Sequence, residues 1–386
     1  MNKLIIKAKN FRQSIRQNGM KTEVRRLKNY IKYRKTVLNA YEEWQLLNEP
    51  NKEEIEEQKK YEPLLDTKFT IITSKDNENI DISNQTYENY SIQFFDADKY
   101  LENIKQLRSD YCIFIAKGIE MLPFALYDIE RFIEYNECNL IYADNDYLID
   151  GKRENPNFKP HFAYDNILSK NYFGNFIIIK TKFLQENENI LENLSKTEPI
   201  YNIILNTITK TNRIMHIDKI LYSVKEEKID EEEQIDIIKR YLEKNNIKYD
   251  RVRKGKFEGQ YKIDYTIKEN AKISIVIPNM DHIEDLEKAI NSILKSSYKN
   301  YEIVVVENNS KNQETFEYYE KIKKQDARIK VIKMEIKEFN YSKIVNFGVE
   351  NSEGEYIVLL NNDIEVITND WLEQMLMYVQ RKSVGR

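Results

Sequence analysis

Apolar and polar positions in this chain fall into blocks that switch between two spacings. From Lys68 onward, the short apolar runs "KFTIITS", "YSIQFF", "YCIFIA" and "LIYADND" are set apart by the helically spaced stretches "DADKYLENIKQL" and "LPFALYDIERFIEYN". Strands of this length alternating with helices predict a parallel α/β sheet. After "GKRENPNFKP", which reads as a polar loop, "NFIIIK" predicts one more buried strand.

A second block opens with "KISIVIPNMDHIEDLEKAINSILKSS". Ile273 to Ile277 are almost continuously apolar, as expected of a strand covered on both faces. Pro278 ends the run, and Asp281 with Glu284 has the spacing of a capping box. Leu286, Ile290, Ile293 and Leu294 then line one helical face. "YEIVVVENNS" and "EYIVLLNND" repeat the design. Three buried strands are therefore predicted to break into polar clusters, at Pro278–Asn279, Glu307–Ser310 and Asn361–Asp363. Ligands of open parallel sheets sit beyond the carboxyl ends of the strands, so clusters far apart in sequence can face one crevice.

Between the blocks, "KEEKIDEEEQIDIIKRYLEKNNIKYD" predicts a charged surface helix with Ile235, Ile237, Ile238 and Leu242 turned inward. At the other end, Leu4, Ala8, Phe11, Ile15, Val24, Leu27 and Ile31 recur near helical spacing, with Gly19 as a break. An acidic helix, "NEPNKEEIEEQKKYEP", follows between Pro50 and Pro63. The expected organisation is a basic then acidic helical segment over 1–66, an α/β unit over 67–224, a charged helical linker over 225–268 and a second α/β unit over 269–386.

Composition narrows the classes. Hydrophobic residues at 41% of 386 allow sizeable cores, and 32% charged residues point to a chain that stays in water. No apolar run approaches the roughly 18 residues of a membrane span, and "MNKLIIKAKNF" returns to Lys too soon for a signal peptide. Cys112 and Cys138 fit neither a CxxC motif nor a disulfide framework, a cytoplasmic pattern. The net charge of −4 names no partner, but residues 1–40 hold twelve Lys or Arg against one acid, Glu23. Such a segment reads either as a basic amphipathic helix on the anionic inner face of the cell membrane or as a solvated extension packed on the next domain. Nucleic acid is not expected, because no binding motif accompanies the charge.

The polar clusters suggest a ligand. Asp363 and the amide oxygen of Asn361 form a hard-oxygen environment suited to Mn²⁺ or Mg²⁺, completed by waters and substrate phosphates. Glu307, Asn308 and Asn309 can hydrogen-bond a base or ribose, so a nucleoside diphosphate fits. With nine glycines and neither a Walker loop nor GxGxxG, ATPase and dinucleotide readings lack a phosphate cradle. His161, His216 and His282 are the only histidines, which disfavours a His-centred zinc site or triad.

Residues 272 to 376 resemble the nucleotide-binding half of a family-2 glycosyltransferase, of the inverting GT-A group. "ISIVIPNMD" is similar to the family's opening strand and turn, from which Met280 and Asp281 depart. "VVVENNS" stands where the family has Asp-Asp-Gly-Ser or Asp-Asn-x-Ser, so Glu307 replaces the first acid. "FNYSKIVNFGVENSEGEYIVLLNNDIEVI" resembles the lead into the DXD metal motif, here Asn361-Asn362-Asp363. The resemblance implies a nucleotide-sugar donor at Pro278, Asn279, Glu307, Asn308, Asn309, Ser310, Ser342, Asn346 and Asn362, with the metal on Asp363 and Asn361. Ser342 and Asn346 read equally well as cap or surface groups of their helix.

The first unit resembles the same group more distantly. "LIYADNDYLIDGKRENPNFKPHFAYDNILSKNYFGNFIIIKTKFL" is similar to the acceptor-side half of such domains, with Asp144 and Asp146 matching its carboxylates. "HIDKILYSV" resembles the closing segment, with Asp218 for Pro and Ser223 for His. Ala116-Lys117-Gly118 occupies the DXD position without a carboxylate, and Thr73 to Asp110 is too short for the usual nucleotide-binding elements. The unit is expected to be degenerate, structural or acceptor-binding, and its acidic pair either a site or a surface turn.

The fold class expected is α/β, with GT-A-like, Rossmann-related parallel sheets in two units behind a helical N-terminal segment. The function implied is metal-assisted, inverting transfer of a sugar from a nucleotide-diphosphate sugar to a glycan or lipid-linked glycan acceptor in bacterial surface polysaccharide biosynthesis. The family's acceptor half and its general base are expected beyond Arg386, so the chain reads as part of a longer enzyme. A non-catalytic nucleotide- or glycan-binding scaffold is the alternative, and a nucleotidyltransferase is disfavoured by the missing Gly-rich loop.

Overall fold

The computed structural model describes residues 39–381 and 384, apart from 78, 79, 81, 227 and 337. Nearly all of the basic segment read for a membrane surface lies outside the described residues. Among them, no helix is long and apolar enough to cross a membrane. The chain divides into two compact units: residues up to Asn246 with Val252–Lys262, and Ile247–Arg251 with Ile263 onward.

The first unit contains β1 (Phe69–Thr73), β2 (Tyr90–Phe94), β3 (Tyr111–Ile115), β4 (Ile119–Met121), β5 (Leu140–Ile149), β6 (Lys152–Asn157), β7 (Phe176–Lys180) and β8 (Ile214–Val224). They form one sheet in the order β2-β1-β3-β7-β5-β8-β4, with β6 paired to β5. β1 runs parallel to β2 and β3, and β5 to β8. β7, however, is antiparallel to both β3 and β5. The sheet is thus mixed where a parallel one is expected, because an apolar run such as "NFIIIK" carries no sign of its direction. The stretch read as a polar loop is largely β6. Asp150 and Gly151, at φ of 49° and 75°, make the tight turn that folds it back on β5. An edge strand of Lys, Arg, Glu and Asn has no apolar alternation by which to be recognised.

Leu126 and Ile129, on the inner face of the helix Ala125–Ile133, pack into a core with Phe69, Ile71, Ile113, Ile141 and Leu221. Each such side chain contributes about 1.5–3 kcal/mol by leaving water. Cys112 and Cys138 are free and buried. In the expected linker, the helix Glu231–Lys244 does bury Ile235, Ile237, Ile238 and Leu242. The rest of that stretch is not helical but a two-stranded sheet of β9 (Tyr249–Lys254) and β10 (Tyr261–Tyr265).

The second unit carries β11 (Ile273–Asn279), β12 (Tyr301–Glu307), β13 (Ile329–Lys333) and β14 (Tyr356–Leu359), in the order β13-β12-β11-β14. Every pair is parallel. Alternation decides what each face meets. Ile273, Ile275 and Ile277 pack with Leu286, Ile290 and Ile293 of the helix Ile283–Leu294. Val276, Val304 and Val306 face the other way, onto Ile344 of the helix Tyr341–Glu350. Gly348 lets that helix lie close, since a Cβ there would collide with Val276 and Val306. One expectation changes. β14 is an edge strand whose Ile357 and Leu359 are exposed, so of the three only β12 is buried throughout and β11 at every residue but Pro278.

Candidate functional site

The strand order itself locates a crevice. Winding proceeds from β11 through β12 to β13, then returns past β11 to place β14 on its far side. Such a reversal separates the connections at the carboxyl ends of the two strands flanking it, here β11 and β14. Asn279 ends β11, and the turn Asn361–Ile364, closed by the Ile364 amide on the Asn361 carbonyl at 3.4 Å, follows β14. The two meet: Asn362 Nδ2 donates to Asn279 Oδ1 at 2.7 Å.

The neighbouring cluster closes the other side. The Asn308 amide donates to the Asn279 carbonyl at 3.0 Å, tying the end of β12 to β11. Glu307 is 2% exposed, and its Oε1 accepts from the Ser310 amide at 2.6 Å. Its Oε2 is buried without a partner. An unsatisfied buried carboxylate oxygen is costly, and it marks a place where a ligand's donor would be favourable. Asn308 and Asn309 turn their amide nitrogens to the carbonyls of Met334 and Ile336, and Asn309 sits at φ 59° in the left-handed region that Asn tolerates.

Two residues that shape this loop have a role their sequence does not announce. Asp281 does not cap the helix that follows it; His282 occupies that N-cap without a side-chain bond. The Asp281 carboxylate instead accepts from the amides of Asn312 and Lys311 and from Thr315 Oγ1, capping the helix Gln313–Gln325 that follows β12. Those bonds, the Asn312 amide first, hold its carboxyl below the usual range. A capping-box spacing cannot show which of two nearby helix ends a carboxylate will serve. Tyr319 is the other residue. Its hydroxyl accepts from Asn279 Nδ2 at 2.8 Å and lies 3.5 Å from Ser310 Oγ. An inward Tyr on a helix reads as core, and only the fold reveals where its hydroxyl ends.

The two residues expected to hold the metal stand outside this network, unlike Asn362 between them. Asp363 and Asn361 are exposed, and the only described side-chain contact at Asn361 is the Tyr341 hydroxyl, 3.4 Å from its Oδ1. Among the described residues no group of three or more His, Cys, Asp or Glu could hold a metal ion. One open carboxylate beside an amide oxygen matches a cation that keeps waters and substrate phosphates, in the manner of Mg²⁺. Ser342 and Asn346 lie exposed on the helix Tyr341–Glu350, whose N-terminus is capped by Asn340 accepting from the Lys343 amide. Pro278 is half-buried within β11.

The first unit treats its matching positions differently. Asp144 accepts from His216 Nε2 at 2.7 Å and from the Lys159 amide at 2.8 Å. Asp146 accepts from Arg153 Nε at 2.7 Å, from Ser223 Oγ at 2.5 Å and from the Tyr41 hydroxyl. Both carboxylates are buried rather than set in a surface turn. At the DXD position, Lys117 reaches Asp76 at 3.1 Å.

Residues 274–385 match the family described as Glycosyl transferase family 2. The second unit is therefore a domain of that family, and its four-stranded parallel sheet carries the polar strand ends described above. Two relatives extend the similarity into the first unit. The uncharacterized protein y4gI of Sinorhizobium fredii is 29% identical over 68% of this chain and 30% of its own length. The O-antigen biosynthesis protein RfbC of Myxococcus xanthus is 26% identical over 74% of this chain and 23% of its own. The chain thus spans less than a third of each. Among solved structures, S. aureus TarS 1–349 in complex with UDP-GlcNAc aligns at 14% identity and a TM-score of 0.35, over 45% of this chain and 66% of that one.

Proposed function

We propose that the second unit binds a nucleotide-diphosphate sugar, and that the protein transfers the sugar to a glycan acceptor in bacterial surface polysaccharide assembly. The observation that carries this reading is the convergence of three strand-end clusters of a family-2 domain at its switch point, with Glu307 Oε2 left unspent. In this reading Glu307 accepts a hydrogen bond from the nucleoside, and the Asn279–Asn362 bond fixes the distance between the nucleoside and diphosphate ends. Asp363, with Asn361, would hold Mn²⁺ or Mg²⁺, which would supply positive charge to the diphosphate. When bound, the cation offsets charge on the leaving nucleoside diphosphate. Displacement is inverting: the acceptor oxygen bonds to the anomeric carbon as the bond to phosphate breaks, and the acceptor proton passes to a general base. The similarity to RfbC, named for O-antigen biosynthesis, supports a surface polysaccharide as the setting.

Asp363→Asn tests the reading, since it keeps the shape and removes the charge. Calorimetry with UDP and with GDP should show Mn²⁺ strengthening binding to the wild type and no such gain in the variant, at an unchanged melting temperature. Equal Mn²⁺-dependent affinity in the two proteins would make the polar break an ordinary strand end and sink the proposal.

A further inference from the structure

The first unit holds a cavity of ≈ 800 Å³ that the proposed donor site does not use. It opens at the carboxyl ends of β1, β3, β5 and β8, where sheets with parallel strands take ligands. Its size lies within the roughly 300–1,000 Å³ of small-molecule sites.

What lines it indicates the ligand. Asn145, Asn157, Asn171, Asn175 and Ser74 line it; Asn157 Nδ2 donates to Asn145 Oδ1 at 3.2 Å and the Ser74 hydroxyl to Asp76. Carboxamides and hydroxyls offer both donors and acceptors, as sugar hydroxyls do. Tyr147 and Tyr172 add ring surface. Around them five carboxylates face four lysines. Lys117 lies 3.1 Å from Asp76 and Lys228 3.2 Å from Glu226, while Lys170 and Lys196 are outnumbered by Asp96, Glu198 and Glu258. No excess of cations is left to neutralise a diphosphate. One acceptor in the wall is also unspent: Asn171 Oδ1 is buried without a partner, its Nδ2 lying 3.4 Å from Asn175 Oδ1.

We propose that this cavity binds a neutral glycan and excludes nucleotide. The glycan's role as acceptor, though not its binding, rests on the transferase reading. The position that would carry a metal in a donor site here holds Lys117, paired with Asp76, so a cationic side chain stands where a metal would belong.

Saturation-transfer NMR on the full chain tests this, with the methyl glycosides of glucose, N-acetylglucosamine and rhamnose as probes. At least one should receive saturation. Tyr147→Ala removes a ring, and Thr197→Trp fills space from an exposed position of the lining, where folding is least at risk. Each should weaken glycoside binding about tenfold, the scale of a lost neutral contact or two, and leave UDP binding with Mn²⁺ unchanged. The proposal is overturned if none of the three glycosides receives saturation, or if both variants bind them like the wild type. It is overturned equally if UDP displaces the glycoside in the Asp363→Asn protein, because the nucleotide would then occupy the cavity. Glycoside binding that persists while UDP binding is absent altogether would count for the cavity and against the donor reading.

Discussion

In the first unit Asp144 and Asp146 sit on β5 and are consumed internally, by His216 and the Lys159 amide and by Arg153, Ser223 and Tyr41. In the second unit Glu307 ends β12 with one oxygen unspent, and Asp363 stands in the open just beyond β14. All four are carboxylates on or beside strands of an α/β sheet, and their residue types are alike. They differ in whether the fold supplies their donors. A carboxylate whose oxygens are filled from within contributes to stability, whereas one left short is available to a ligand, and only the arrangement around it separates the two.

Substitutions that remove one carboxylate at a time can break this contrast. The largest effect is expected at Asp146. Alanine there would strip the acceptor from two hydroxyls and one of two carboxylate partners from the Arg153 guanidinium, which keeps Glu49 at 2.6 Å, so the cost lies at the low end of the about 3–5 kcal/mol of a broken buried ion pair. Chemical denaturation should show the first unit destabilised by that order, with nucleotide affinity of the second unit retained. A loss below about 1 kcal/mol would mean that Asp146 is not a structural residue.

Glu307→Ala comes next, with the opposite signature. Loss of a charge-assisted hydrogen bond to a nucleoside is worth about 1.5–3 kcal/mol, roughly ten- to a hundredfold in UDP or GDP affinity. The melting temperature should barely move, because the substitution also removes an unsatisfied buried oxygen. If affinity holds and stability falls, Glu307 belongs with Asp146.

Asp281→Ala should lie between the two kinds and be the smallest. It removes a helix cap, worth about 1 kcal/mol, and frees the loop that presents Glu307 and Ser310. A modest loss of stability with a severalfold loss of nucleotide affinity is expected. Asp281→Asn, which can still accept from the Asn312 amide, should recover most of both. Failure of asparagine to rescue would show that the charge, rather than the cap, matters.

Much of the second unit was legible in its residues. The runs Ile273–Ile277 and Ile303–Val306 announced two central strands, and their polar ends do converge at the switch point. What stayed hidden depended on partners distant in sequence. The direction of β7 is set by its neighbours β3 and β5, not by its own apolar run. β6 has no apolar face to announce it, and the exposure of Ile357 and Leu359 follows from β14 being last in the sheet. Likewise the residue types at Asp144 and Asp146 suggested a site, but the donors that fill them come from residues as far away as Tyr41 and Ser223.

Both cysteines of the chain belong to the first unit, where burial raises the Cys112 thiol to about 12 and the Cys138 thiol to about 11. Thiolate is the form that alkylating reagents attack, so these two sulfurs are protected twice, by lack of access and by lack of ionisation. Their modification by iodoacetamide must therefore wait for the first unit to open, and the rate becomes a clock for that event. The second unit has no sulfhydryl to add to the signal. The native chain thus carries its own reporter of one domain's breathing, readable by intact mass while the other domain is titrated with nucleotide.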